Sequence, residues 1–156
     1  MSAVEERLAA LGLVVPEVVP PVAAYVPAVR SGAYVYTSGQ LPFVDGVLPA
    51  RGKVGEGAGL VAPADAAGYA RTAVLNALAA VAALIGDLDQ VQRVVKVVGF
   101  VASDPSFTGQ PLVVNGASDM LGAIFGSAGI HARSAVGVMV LPLDSPVELE
   151  LLVELH

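Results

Sequence analysis

The stretch Val147-Glu148-Leu149-Glu150-Leu151-Leu152-Val153-Glu154-Leu155 alternates almost without fault. Val147, Leu149, Leu151, Val153 and Leu155 fall on one side, with Glu148, Glu150 and Glu154 on the other. A period of two is the period of a strand, whose successive side chains point to opposite faces. A helix would scatter the same five apolar residues around its axis. The chain therefore has to build a sheet with one covered face and one face bearing carboxylates. Just upstream, Leu143-Asp144-Ser145-Pro146 is turn chemistry, and Val136 to Leu141 is apolar and β-prone. The simplest expectation is a terminal pair of neighbouring strands with Arg133 leading into the first. Charged residues make up only 14% of the chain, so an arginine beside an apolar strand needs a partner. Glu148, at the start of the returning strand, is one candidate.

The remaining elements can be read in order. Ser2 to Leu11 predicts a short helix, with Ser2 and Glu5 spaced as a capping box and Gly12 as the stop. Val14 to Pro21 holds three prolines and should be extended. Tyr25 to Val29 and Ala33 to Gln40 flank Arg30-Ser31-Gly32 as a hairpin. Leu41 to Ala62, rich in Gly and Pro, predicts a long surface loop. Its glycines do not fit a phosphate-binding loop: Val54 follows Lys53 where Ser or Thr is needed. Gly55, Gly57 and Gly59 have the wrong spacing for a dinucleotide fingerprint.

Pro63 to Ile85 is the main predicted helix, with apolar residues at helical spacing and Asp65 near its N-terminus. Val91 to Ala102 is apolar on both faces, the pattern of a strand covered on both sides. One cover would be the helix layer, the other a neighbouring subunit. Pro111 to Phe125 is a second helix, broken by Gly126 and Gly129. The order predicts an α+β domain over residues 1–156: one mixed sheet with two main helices on one face, and residues 1–21 as an added helix and extended segment.

Composition narrows the function. The chain is 55% hydrophobic, with a mean hydropathy of +0.72, yet no run reaches the about 18 apolar residues of a membrane span. Self-association explains such apolarity better than a membrane. A net charge of −6, with eight Lys and Arg and no basic cluster, argues against nucleic acid as a partner. Absence of cysteine removes disulfide and thiolate chemistry. His131 and His156 form no metal set with the acidic residues, and His131 reads as a loop residue. The N-terminus lacks the basic start and apolar run of a signal peptide, so a cytoplasmic location is expected.

Several of these residues together resemble a known signature. Ala132-Arg133-Ser134 leads into alternating valines, a Leu-Pro follows at 141–142, and Val147-Glu148-Leu149-Glu150 lies near the end. Upstream come Tyr25, Gly32, Ser38-Gly39-Gln40 with Pro42, and Asn115 between Phe107 and Arg133. In this order the residues resemble the YjgF/RidA family, formerly called endoribonuclease L-PSP, many of whose members are imine/enamine deaminases. The resemblance implies a chorismate-mutase-like fold and a homotrimer with clefts between subunits. It implies a small-carboxylate substrate and no cofactor or metal. It places Arg133 as carboxylate clamp and Glu148 as the group that positions water. Tyr25, Ser38, Gly39 and Asn115 would bind substrate.

Each residue also has a plainer reading. Arg133 could form an internal ion pair with Glu148, and Glu148 could belong to a solvated face. Tyr25 could fill the core edge, Gly39 could end a strand, and Asn115 could cap a helix. Two positions depart from the deaminating relatives, which carry Cys and an acidic residue where this chain has Ala135 and Gly137. Together with the longer N-terminus and loop, these mark a divergent branch. A non-catalytic carboxylate-binding or protein-interaction trimer is the alternative, and an endoribonuclease the least supported.

Overall fold

The alternating stretch forms β5 (Val147–Leu155), and it lies in the middle of the sheet. The computed structural model describes residues 1–21 and 23–156. The other strands are β1 (Ala28–Ser31), β2 (Tyr34–Thr37), β3 (Val91–Ala102) and β4 (Ala132–Val138), in the spatial order β1-β2-β5-β3-β4. Every neighbouring pair is antiparallel except β3 and β4, so the sheet is mixed. The helices are α1 (Ala3–Ala10), α2 (Pro63–Ile85) and α3 (Gln110–Phe125). α2 packs against β5 and the β1–β2 hairpin, while α3 packs against β3, β4 and α2. Both main helices lie on one face, as expected.

Local chemistry sets the ends of these elements. Ser2 and Glu5 form the capping box of α1, and the Asp89 carboxylate accepts the N–H groups of Ala3 and Val4 at 2.7 and 2.8 Å. Pro63 sits in the first turn of α2, and Gly86, at φ 87°, ends it. Gly32, at φ 60°, makes the tight turn between Ser31 and Tyr34. α2 is long and apolar enough to cross a bilayer by length and composition alone. Its packing makes it the core helix instead: Val74, Ala77, Leu78 and Val81 are wholly buried against the sheet and α3. A Cβ at Gly116 of α3 would strike the carbonyl of Ala67 in α2, so glycine lets the two helices touch.

Three expectations need correction. First, β4 and β5 are not a neighbouring pair. β3 lies between them, parallel to β4 and antiparallel to β5. α3 is the crossover of a β-α-β unit, and β5 then adds on the far side of β3. Second, the strand after Arg133 begins and ends earlier than its apolar run. It spans Ala132–Val138, because its partner β3 ends at Ala102, opposite Val138. Met139 and Val140 lie beyond the ladder and are 78% and 63% exposed. Third, the 41–62 segment is more than a surface loop. Val54 is wholly buried and bonds to Ala102, and Asn76 of α2, 2% exposed, donates to the carbonyls of Leu41 and Phe43 at 2.9 and 3.0 Å. At its far end, Arg51 and Gly52 bond the carbonyls of Leu143 and Asp144, two consecutive residues at positive φ.

Candidate functional site

Register decides which face each charged residue takes. Arg133 stands opposite Val97, which stands opposite Leu151. Val97 and Leu151 are buried under the helices, so Arg133 projects on the helix side. Glu148 stands opposite Phe100, which stands opposite Val136, on the uncovered face. The two residues therefore lie on opposite faces of one sheet, two strands apart. The internal Arg133–Glu148 ion pair is ruled out by this parity.

Arg133 is held instead by α3. Its Nη1 donates to Asn115 Oδ1 at 2.7 Å and to Ser118 Oγ at 3.2 Å, and Nη2 donates to the Pro111 carbonyl at 3.3 Å. Asn115 and Ser118 are three residues apart, so one turn of α3 presents both to the guanidinium. Among the described residues, Nε–H and the second N–H of Nη2 have no partner. The edge shared by Nε and Nη2 is the planar fork of a guanidinium that can match a carboxylate. The hydroxyl of Ser118 also bonds His131 Nε2 at 2.9 Å, and His131 Nδ1 bonds the Gly129 carbonyl at 2.6 Å. Ser118, His131 and Arg133 line a shallow cavity of about 280 Å³ together with Gly122, Gly129 and Ile130.

Glu148 has the opposite kind of setting. Among the described residues its carboxylate accepts no hydrogen bond. It is half-buried, and desolvation, followed by the like charge of Glu150, pushes its pKa up. The side chain lies over Gly39, where any Cβ would land on its Oε1 and Cδ. Gly39 has no positive φ, so what its missing side chain provides there is room for the Glu148 carboxylate. Gln40, the next residue, exchanges both backbone bonds with Leu149 at 2.8 and 3.1 Å, which fixes Gly39 against the start of β5. Tyr25, Gly39 and Glu148 line one cavity of about 170 Å³, walled largely by prolines, Leu41, Phe43 and Leu143.

The residues singled out in the sequence thus fall into two groups. Arg133 and Asn115 meet in one, and Tyr25, Gly39 and Glu148 in the other. Asn115 braces the arginine rather than standing alone, and its amide nitrogen remains free among the described residues. Ser38 is not in the wall of the 170 Å³ cavity. Its hydroxyl donates to the Val26 carbonyl at 2.6 Å and its N–H to the Pro27 carbonyl at 2.8 Å, bracing the segment that carries Tyr25. Ser118 and His131 were not foreseen. For Ser118 the signal was there, since it is one helical turn from Asn115.

The sequence profile described as "YjgF/chorismate mutase-like, putative endoribonuclease" matches residues 5–155. The chain belongs to the YjgF family. Protein TCP17 of Trypanosoma cruzi is 44% identical over 98% of this chain and 94% of its own length. Two crystal structures are close in shape. Atu1372 of Agrobacterium tumefaciens, a protein of unknown function, is 41% identical with a TM-score of 0.88, covering 99% of this chain and 93% of that one. A protein of Shewanella oneidensis, described as a putative endoribonuclease, is 34% identical with a TM-score of 0.93, covering 99% and 100%. The chorismate-mutase-like architecture is thus shared along the whole chain.

Within the YjgF fold, the two departures on β4 have a local setting. Arg133, Ala135 and Gly137 share the helix side of the strand. A Cβ at Gly137 would come within 2.7 Å of Gln110 Nε2 and 3.1 Å of Ser103 Oγ. Gln110 also donates to Ser103 Oγ at 3.1 Å and to the Phe107 carbonyl at 2.8 Å. The Gln110 amide and the Ser103 hydroxyl occupy the space that an acidic side chain at 137 would need.

Proposed function

We propose that the chain is a cofactor-free hydrolase of 2-imino and 2-enamino acids, releasing 2-oxo acids and ammonia. The observation that carries this reading is a division of labour between two incomplete halves. One half offers a braced guanidinium; the other offers a carboxylate that has no partner among the described residues and whose pKa is pushed up. They lie on opposite faces of the sheet, so one chain cannot apply both to one small substrate. A head-to-tail ring of copies would bring the arginine half of one subunit to the glutamate half of the next. A homotrimer is the ring that the family resemblance implies. The uncovered sheet face, with Tyr34, Tyr36, Val136 and Val29 exposed, supports burial against a copy.

In this site Arg133 takes the substrate carboxylate through Nε and Nη2, while Asn115 holds Nη1. The imine carbon is already electrophilic. Glu148 accepts a proton from water as the water oxygen adds to C2, and it passes that proton to the imine nitrogen. The carbinolamine then collapses, expelling ammonia and leaving the 2-oxo acid. An enamine is first protonated at C3 and loses a proton from nitrogen, giving the imine. Raising the carboxyl pKa toward neutrality suits a group that takes and returns protons. Orientation supplies much of the rest. Tyr25 and Gly39 shape the wall beside the reacting carbon.

The test generates an imine in the cuvette with an amino acid oxidase and follows ammonia and 2-oxo acid. Wild type, Arg133→Ala and Glu148→Gln are compared at equal oligomer mass. Acceleration by the wild type that both variants lose supports the reading. No acceleration across small, branched and aromatic imino acids sinks it. Binding of a 2-oxo acid without turnover would favour the non-catalytic carboxylate-binding trimer. The endoribonuclease description carried by the family finds no basic stripe in a chain of net charge −6. RNA binding that falls steeply with salt would reinstate it.

A further inference from the structure

The arginine half contains a hydrogen-bond chain that the proposed chemistry does not use. A backbone carbonyl can only accept, so His131 Nδ1 carries the proton donated to the Gly129 oxygen. With the imidazole in its neutral form, Nε2 is then an acceptor. Arg133 Nη1 can only donate, so it takes a lone pair of Ser118 Oγ. The Ser118 hydroxyl proton is left to point at His131 Nε2. The direction of every bond follows: Arg133 to Ser118, Ser118 to His131, His131 to Gly129. The imidazole is the terminus that keeps the serine oxygen turned toward the guanidinium.

We propose that His131 is a positioning residue for the Arg133 clamp, acting through the shared hydroxyl of Ser118. The inference rests on the reading of Arg133 as a carboxylate clamp, and it assigns roles to two residues which that reading leaves out. A nucleophilic role for the Ser118–His131 pair fits less well. Ser118 lies in the middle of α3, where neighbouring N–H groups are engaged in the helix and cannot hold an oxyanion. Its oxygen is also already a partner of a cation. What the chain does is orient. Asn115 and Ser118 grip the same Nη1 from one helical turn, and His131 denies Ser118 the rotation that would release it. The guanidinium is thereby held with its Nε/Nη2 edge outward.

The prediction has a readout independent of any turnover. Rotation of the Arg133 guanidinium is followed by ¹⁵N NMR of the arginine side chains, with Arg133→Ala used for assignment. Affinity for 2-oxobutyrate, a probe of the product class, is titrated in parallel. His131→Ala is expected to speed guanidinium rotation and weaken 2-oxobutyrate binding by on the order of tenfold, the scale of one charge-assisted hydrogen bond. Where turnover is measurable, KM should rise while kcat stays within about twofold. His131→Gln, whose amide oxygen can accept from Ser118, should restore most of both. In a Ser118→Ala background, His131→Ala should add little.

Unchanged rotation and affinity in His131→Ala would overturn the proposal. So would an effect that persists undiminished without Ser118. Wild-type binding of 2-oxobutyrate with no imine turnover would defeat the deaminase reading and leave the positioning role standing. Absence of any Arg133-dependent binding would overturn both.

Discussion

The two halves of the candidate site are built by opposite means. Arg133 stands on an edge strand and is gripped by side chains: Asn115, Ser118 and, behind them, His131. Glu148 stands on the middle strand and is shaped by what is missing: no hydrogen-bond partner among the described residues and no side chain on Gly39. A guanidinium keeps its charge in any protein setting, so its site can be polar and must only aim it. A carboxylate that is to move protons needs its pKa raised, and removing water and partners does that. The contrast teaches that one half should fail by losing direction and the other by losing its environment.

The largest effect should come from replacing the fork with a point charge. Arg133→Lys keeps the charge and loses the bidentate geometry, so kcat/KM for imine hydrolysis should fall about a hundredfold. Retention of most activity would mean that charge alone is used. Next comes Gly39→Ala. Its Cβ would displace the end of a flexible side chain rather than backbone, so the protein should fold with a near-normal Tm. Steady-state kinetics should show kcat down by about tenfold or more as the carboxylate is pushed aside. An active Gly39→Ala would detach Glu148 from the chemistry.

Asn115→Ala should cost several-fold, chiefly in KM, because Ser118 and Pro111 still hold the guanidinium. Glu150→Gln tests the carboxylate's surroundings. Removing the like charge should lower the Glu148 pKa, so the acidic limb of the pH–rate profile should move to lower pH. A limb that does not move would assign it to another group. The smallest effect concerns stability. The native state holds Glu148 with a raised pKa, so the stability it contributes is present in acid and lost as pH rises through that raised value. Glu148→Gln escapes this loss. Its Tm should match the wild type in acid and sit slightly above it at neutral pH, with activity lost.

Much of the fold was legible because its signals are local. The period of two in Val147–Leu155, the apolar run Val91–Ala102 and the Pro63-to-Gly86 punctuation each bounded an element that the structure contains as read. The misread parts were decided by partners. Val136 to Leu141 looks like a strand by composition, but the length of β3 ended it at Val138. The supposed terminal pair was separated because α3 returns the chain parallel to β3, leaving the other side of β3 for β5. At the site, the residue types were readable and their grouping was not. Whether Arg133 faces Glu148 depends on the parity of each against β3, and that register is written in neither residue's own neighbourhood. Ser118 needed only the helical repeat counted from Asn115. His131 needed the structure, because nothing in Gly129-Ile130-His131 marks a carbonyl acceptor for its ring.

The place of β5 has a consequence for how the molecule comes into being. It is the last strand in chain order and the middle one in space, so β2 and β3 have no common neighbour until residues 147–155 exist. During synthesis the hairpin and the β3-α3-β4 unit share α2 but must wait with their inner sheet edges bare. The sheet then closes by inserting a strand between them, and every one of those closing contacts with β2 spans more than a hundred residues of sequence. A ribosome that stalls before Val147 releases a chain with two open seams. One that reads past it releases a chain able to close them at once.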